Sequence, residues 1–205
     1  MGTDLTLTCT TTTSKPPATI SWYRGTEKLS DSDKGINIGN IEYSDGEYNG
    51  ETSEQQITIT TTAKDNKADF KCIARNPDVG GDVDSNSITT NVYFPPRYPS
   101  GCSTQLHGYP DNTGYVVAGN ALTLTCMSCS SNPDADVQWY HGTQVVTSGL
   151  SDVSYHDGVY EGQTTTQNLT IQLSYHHHMD IFNCDAGNVY FASRESSNTV
   201  ILNVR

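Results

Sequence analysis

A cysteine–tryptophan–cysteine pattern occurs twice in these 205 residues, on nearly the same ruler. Cys9, Trp22 and Cys72 form the first copy; Cys126, Trp139 and Cys184 form the second. Adding 117 carries Cys9 and Trp22 onto Cys126 and Trp139. Farther along, a constant offset of 112 carries Asp45-Gly46 onto Asp157-Gly158, Ile57 onto Leu169, Phe70 onto Phe182, Cys72 onto Cys184, Asn86 onto Asn198 and Val92 onto Val204. Two registers held over that many landmarks describe a tandem repeat of one domain, five residues shorter in its second copy between the tryptophan and the later strands.

Around these landmarks apolar and polar residues alternate, the period of a strand with one buried face. Leu5, Leu7 and Cys9 share a side opposite Thr6 and Thr8, and Leu122, Leu124 and Cys126 repeat the arrangement. Ile20/Trp22 and Val137/Trp139 follow, then Ile57/Ile59 and Leu169/Ile171, then Phe70/Cys72/Ala74 and Phe182/Cys184/Ala186. Gly, Pro, Asn, Asp and Ser clusters punctuate these runs, and no long stretch carries a helical period. The fold class is all-β. Two inward cysteines on different strands with an indole between them imply a two-sheet sandwich pinned by a disulfide packed on the tryptophan.

The pattern resembles the immunoglobulin superfamily, and the resemblance covers essentially the whole chain. It implies two tandem Greek-key β-sandwiches in an elongated rod, with Cys9–Cys72 and Cys126–Cys184 as inter-sheet disulfides around Trp22 and Trp139. One departure stands out: the family's tyrosine two residues before the second cysteine is here Phe70 and Phe182. The short spans between cysteines favour constant-like or intermediate-type domains, with one short extra strand near Glu42–Tyr48. Asn76-Pro77 and the Pro95-Pro96 run look like nectin-like and nephrin-like adhesion receptors. The expected domains are 1–94 and 95–205, joined by a stiff proline-rich linker at 94–99 where Tyr93, Phe94 and Tyr98 pack.

Six cysteines in structural positions argue for an oxidising, extracellular compartment. The sequon Asn168-Leu169-Thr170 agrees and marks Asn168 as a glycosylation candidate. The formal charge of −12 is shared evenly, with eight basic and fourteen acidic residues in the first copy and three arginines against nine acids in the second. With no basic patch, nucleic acid and anionic lipid are poor partners. Neither a signal peptide nor a membrane-spanning apolar run is visible. The lead-in from Ser100 to Val117 has no counterpart in the first copy, whose opening strand therefore reads as truncated, with Met1 an added initiator and any membrane attachment supplied by a segment outside this chain.

Cys102 and Cys129 also lack counterparts. A bridge between them would tie the opening strand to the sandwich, Cys129 facing away from the core three positions after Cys126; the alternative leaves one or both free for intermolecular bonding. All six histidines fall in the second copy, with His176-His177-His178 consecutive. Adjacent residues in an extended segment point opposite ways, so this run reads as a solvated turn rather than a metal site. Asp78, Asp82 and Asp84 surround a Val-Gly-Gly turn but lack a calcium-ligand series, and the equivalent second-copy loop is the aromatic Val189-Tyr190-Phe191. The repeated Asp-Gly-x-Tyr-x-Gly-x-Thr, at 45–52 and 157–164, reads as a structural turn with its tyrosine packed over it. No catalytic motif is present, so neither enzymatic activity nor a cofactor or metal is expected.

The resemblance implies a cell-surface recognition or adhesion ectodomain fragment that binds another protein or itself. Two other readings stand beside it: a rigid spacer in a longer receptor, and an innate-immune molecule that binds microbial or carbohydrate ligands. Tyr23, Tyr140, Tyr190 and Phe191, taken as exposed, are candidate contacts because aromatics anchor protein interfaces, together with the acidic loop of Asp78, Asp82 and Asp84.

Overall fold

The computed structural model describes residues 2–110 and 114–205. Met1 and residues 111–113 of the lead-in lie outside them. The chain divides into two compact units, Met1–Val92 and Tyr93–Arg205, and both are all-β.

In the first unit the strands are β1 (Asp4–Thr10), β2 (Thr19–Arg24), β3 (Glu27–Lys28), β4 (Ile36–Ile38), β5 (Glu42–Asp45), β6 (Glu51–Thr60), β7 (Asp69–Asn76), β8 (Gly80–Asp84) and β9 (Ile88–Thr89). One sheet pairs β1, β4 and β5 with β6; the other runs β3-β2-β7-β8, with β9 also on β7. All pairings are antiparallel. The period-2 alternation decides which face meets the other sheet. Ile57, Ile59, Trp22 and Phe70 close around Cys9 and Cys72, which are joined by a disulfide with Cα atoms 6.3 Å apart.

The second unit repeats the plan with β10 (Phe94–Tyr98), β11 (Gln105–His107), β12 (Ala121–Met127), β13 (Ser130–Asn132), β14 (Asp136–His141), β15 (Gln144–Val146), β16 (Ser154–Asp157), β17 (Gln163–Gln172), β18 (Ile181–Asn188), β19 (Phe191–Ser196) and β20 (Val200–Ile201). One sheet is β10-β13-β17-β12-β11 with β16 on β17, and the other is β15-β14-β18-β19 with β20 on β18. Leu124, Trp139, Leu202 and the Cys126–Cys184 disulfide lie at the centre.

Three local features differ from the sequence reading. The run at 94–99 is not a free linker: Phe94, Pro95 and Pro96 are buried, and β10 pairs with β13 through Phe94↔Asn132 and Tyr98↔Ser130. Proline tolerates this place because β10 ends its sheet and needs few ladder N–H donors. Cys129 does not face outward. β12 stops at Met127, the backbone turns, and the Cys129 side chain is buried and bonded to Cys102. The repeated glycine–tyrosine turn is a 3-10 turn in both units, with Tyr48 and Tyr160 in left-handed backbone at φ 53° and 58°. Tyr160 packs edge-on to Tyr98 at 5.9 Å and Phe94 at 6.5 Å, whereas Tyr48 is 92% exposed.

Candidate protein-interaction surface

The outward face of β2, β7 and β8 gathers three of the candidate residues in the first unit. Ile20 and Trp22 turn inward, so Thr19, Ser21 and Tyr23 turn outward. Tyr23 lies opposite Lys71 in the ladder, and Lys71 bonds Asp84 at 3.1 Å. One pair along, Arg75 bonds Asp82 at 3.1 Å. Asp82 and Asp84 are therefore partners of neighbouring cations, not convergent ligands. Asp78 sits in the turn, its N–H donating to Asn76 Oδ1 at 3.0 Å. Among the described residues no His/Cys/Asp/Glu group is disposed to hold a metal ion. Tyr23 is half-buried rather than fully exposed.

The matching face of the second unit is closed on itself. Arg194 reaches Asp136 at 2.7 Å and Asp185 at 2.5 Å, its stem passing over Gly187, where a Cβ would meet Arg194 Cγ at 2.9 Å. Tyr140 is half-buried, and its hydroxyl lies 3.0 Å from both Asp185 Oδ2 and Gln138 Oε1. Burial, and then hydrogen bonding to the Asp185 carboxylate, hold the Tyr140 phenol above its usual pKa, since both disfavour a second negative charge there. Sequence reasoning missed this network. The signal was in the offset of 112, which places Arg194 on Asp82 and Asp185 on Ile73.

Tyr190 and Phe191 occupy the β18–β19 hairpin. Tyr190 stacks on Tyr93 with ring centroids 3.9 Å apart; hydrogen bonding with the Tyr93 hydroxyl, then its charge, raises the Tyr190 pKa. Phe191 is half-buried. The structure thus separates the aromatic candidates: Tyr23 lies with Asp82 and Asp84 in one unit, while Tyr140 and the Tyr190–Phe191 hairpin lie in the other.

The histidine run has structural duties that the repeat makes plain. His177 stands where the first unit has Asp65, and each side chain accepts the backbone N–H three residues earlier, at 2.9 Å from Ser174 and 2.7 Å from Thr62. His178 stands where the first unit has Asn66, and each accepts a backbone N–H from just beyond its unit's last strand, from Val204 at 3.1 Å and from Val92 at 3.0 Å. Asn168 lies within β17, half-buried, its Oδ1 accepting from Thr125 at 2.8 Å.

Comparison with known proteins agrees with this geometry. An immunoglobulin-domain family matches residues 1–76, and the CD80-like C2-set immunoglobulin domain family matches residues 110–194. The chain belongs to the immunoglobulin superfamily. This immunoglobulin chain is 28% identical to human (Homo sapiens) nephrin over 143 residues, 67% of its own length and 10% of nephrin's. Against mouse (Mus musculus) nephrin the identity is 24% over 204 residues, covering 100% of the chain and 14% of that relative. Cell adhesion molecule 2 of Xenopus tropicalis is 27% identical over 95 residues, 43% of this chain and 22% of the relative. The chain therefore spans only about a tenth to a seventh of the nephrins' length.

Two solved structures share the fold. The D1-D2 pair of Rst superposes with a TM-score of 0.58 at 17% identity, covering 100% of this chain and 92% of that one. The ectodomain of mouse nectin-like molecule 4 gives 0.57 at 13% identity, covering 99% and 64%. The nephrin relatives are cell-surface proteins, and the chain has the relationships of an extracellular, non-enzymatic adhesion-receptor ectodomain. That compartment suits three disulfides.

Proposed function

We infer that the chain forms part of an adhesion receptor's ectodomain and binds a second copy of itself through the outward β2-β7-β8 face of the first unit. The observation that supports this reading is the charge pattern beside Tyr23. Lys71–Asp84 and Arg75–Asp82 place cations and carboxylates in parallel rows on one face. A two-fold interface brings the same patch against itself, so a patch holding both signs is self-complementary when rotated. Tyr23 supplies an aromatic anchor at the edge of those rows. The ions on the second unit's face are less accessible, the Arg194 and Asp185 side chains being 28% and 12% exposed against 59% and 56% for Arg75 and Asp82.

Analytical ultracentrifugation of the disulfide-intact chain at micromolar concentrations tests the reading. Reversible dimerisation is expected, weakened at least tenfold by Tyr23→Ala and by reversing charge at Lys71, with Tyr140→Phe leaving it unchanged. A strict monomer at about 100 μM overturns self-recognition and transfers the face to a different surface protein. A stable contact should bury at least ~1,200 Å² in total.

A further inference from the structure

One sheet face of the second unit carries no fixed charge. Alternation sends Thr123, Thr125 and Met127 of β12 and Thr166, Asn168 and Thr170 of β17 to the outer side, with His107 of β11 alongside. None of these three strands contains an Asp, Glu, Lys or Arg. The repeat supplies the contrast. The same face of the first unit holds Asp4 and Glu54, which accept from Thr60 at 2.7 Å and Thr10 at 3.1 Å. At the offsets of 117 and 112 their places go to Ala121 and Thr166, and that of Thr10 goes to Met127, whose thioether side chain is 41% exposed. A neutral face lacks the like-charge repulsion that keeps copies of an acidic protein apart.

Asn168 lies at the middle of this face, with backbone partners on both sides. Thr125 stands across from it on β12, and His107 stands beyond Thr125 on β11. On the other flank Ser151 Oγ accepts the Asn168 N–H at 3.1 Å, and the Ser151 N–H donates to the Asn168 carbonyl at 2.9 Å. The side chain is oriented as well. Its Oδ1 accepts from the Thr125 hydroxyl at 2.8 Å, which turns Nδ2, the other arm of the planar amide, away from β12. Nδ2 has no hydrogen-bond partner among the described residues and is open to solvent. Two positions on, Thr170 is exposed on the same face, its hydroxyl 3.2 Å from that of Thr123. Asn168-Leu169-Thr170 is the one Asn-x-Ser/Thr triplet in the sequence, and the first unit has Gln56 at the equivalent place.

We propose that Asn168 carries an N-linked oligosaccharide that covers the β11-β12-β17 face, solvating with sugar a surface that the first unit solvates with carboxylates. In the transfer, Nδ2 attacks the anomeric carbon of an oligosaccharide held on a lipid pyrophosphate. The N–C bond forms as the C–O bond to the pyrophosphate breaks, and Nδ2 gives up one proton. The hydroxyls of Thr123, Thr125 and Thr170 offer hydrogen bonds to the attached sugar. Met127, one diagonal from Asn168 across the ladder and about 7–8 Å away, falls beneath it. The bulk of the sugar turns protein contacts away from this face of the unit.

The test uses the whole chain secreted from eukaryotic cells behind a cleavable leader. Its intact mass should show one N-linked oligosaccharide, absent from Asn168→Gln and Thr170→Ala and retained in Thr170→Ser. Asn168→Gln copies the first unit's own residue at that place, and circular dichroism of the variant should match the parent. Cover is read from the two described methionines, Met127 and Met179, which are 41% and 62% exposed. Dilute peroxide should oxidise Met127 about threefold more slowly in the glycosylated chain than in Asn168→Gln, with Met179 oxidised at the same rate in both, since access sets susceptibility. A folded, secreted chain without sugar on Asn168 overturns the site. Equal Met127 rates in the two forms overturn the cover.

Discussion

Asp65 shows how one carboxylate can hold a turn and a sheet together. Its Oδ2 accepts from the Thr62 N–H and hydroxyl at 2.7 and 2.9 Å, while Oδ1 meets Arg24 at 2.9 Å, and the carboxylate is almost wholly buried. Charge-assisted bonds of this sort contribute more than neutral ones. Asp65→Asn keeps the shape, removes the charge and leaves Arg24 with Glu27 alone; a loss of about 2 kcal/mol is expected in urea unfolding. Tyr140 gives a complementary case in which the neutral form is favoured. Its folded-state pKa is raised above 10.0, first by burial and then by Asp185. Protons are held more tightly in the folded state, so the stability it contributes is complete below pH 10 and is lost as pH rises through the raised value. Stability curves of Tyr140→Phe should therefore fall less steeply above pH 10 than those of the parent chain.

At the scale of elements, the duplicated plan was legible in the sequence wherever period-2 alternation met a landmark residue. β1 and β12, β2 and β14, and β7 and β18 all follow inward cysteine or tryptophan positions that the pattern marks directly. β10 was not legible. Phe-Pro-Pro-Arg-Tyr lacks alternation and carries two prolines, and local propensity cannot show that a sheet edge and Asn188 await it. The candidate face was legible in part for a related reason. Alternation shows that Tyr23 turns outward, but not that Lys71 and Arg75 cross the ladder to Asp84 and Asp82. Likewise, the sequence reads the adjacent histidines as a solvated turn, and only the first unit's Asp65 and Asn66 reveal that His177 and His178 make the same two bonds. The Cys102–Cys129 bridge is the device that keeps β10 and β11 in place. It closes a separation of 27 residues, and on the entropic account its removal costs about 3–4 kcal/mol. The Cys102→Ser/Cys129→Ser double variant should lose about that much in equilibrium unfolding, with hydrogen exchange at Gln105 and Leu106 accelerating first.

Across the whole molecule, each unit fastens its two sheets by a cysteine pair with a long separation, 63 residues in the first and 58 in the second. Only the second unit adds a clasp on its entry strand. An adhesion chain transmits tension along its backbone, and the pattern of bonds decides how much length that tension can release. In the second unit, pulled from Tyr93 to Arg205, load passes from Cys102 to Cys129 and from Cys126 to Cys184, so β14 to β17 lie on a covalent detour that force never reaches. Roughly 30 residues stay extensible, on the order of 100 Å at full extension; reduction would free more than three times as many. Single-molecule stretching with and without reductant measures that difference directly. The clasp thus makes the second unit a short, stiff tether: a domain that, once torn open, yields little slack before its disulfides carry the load.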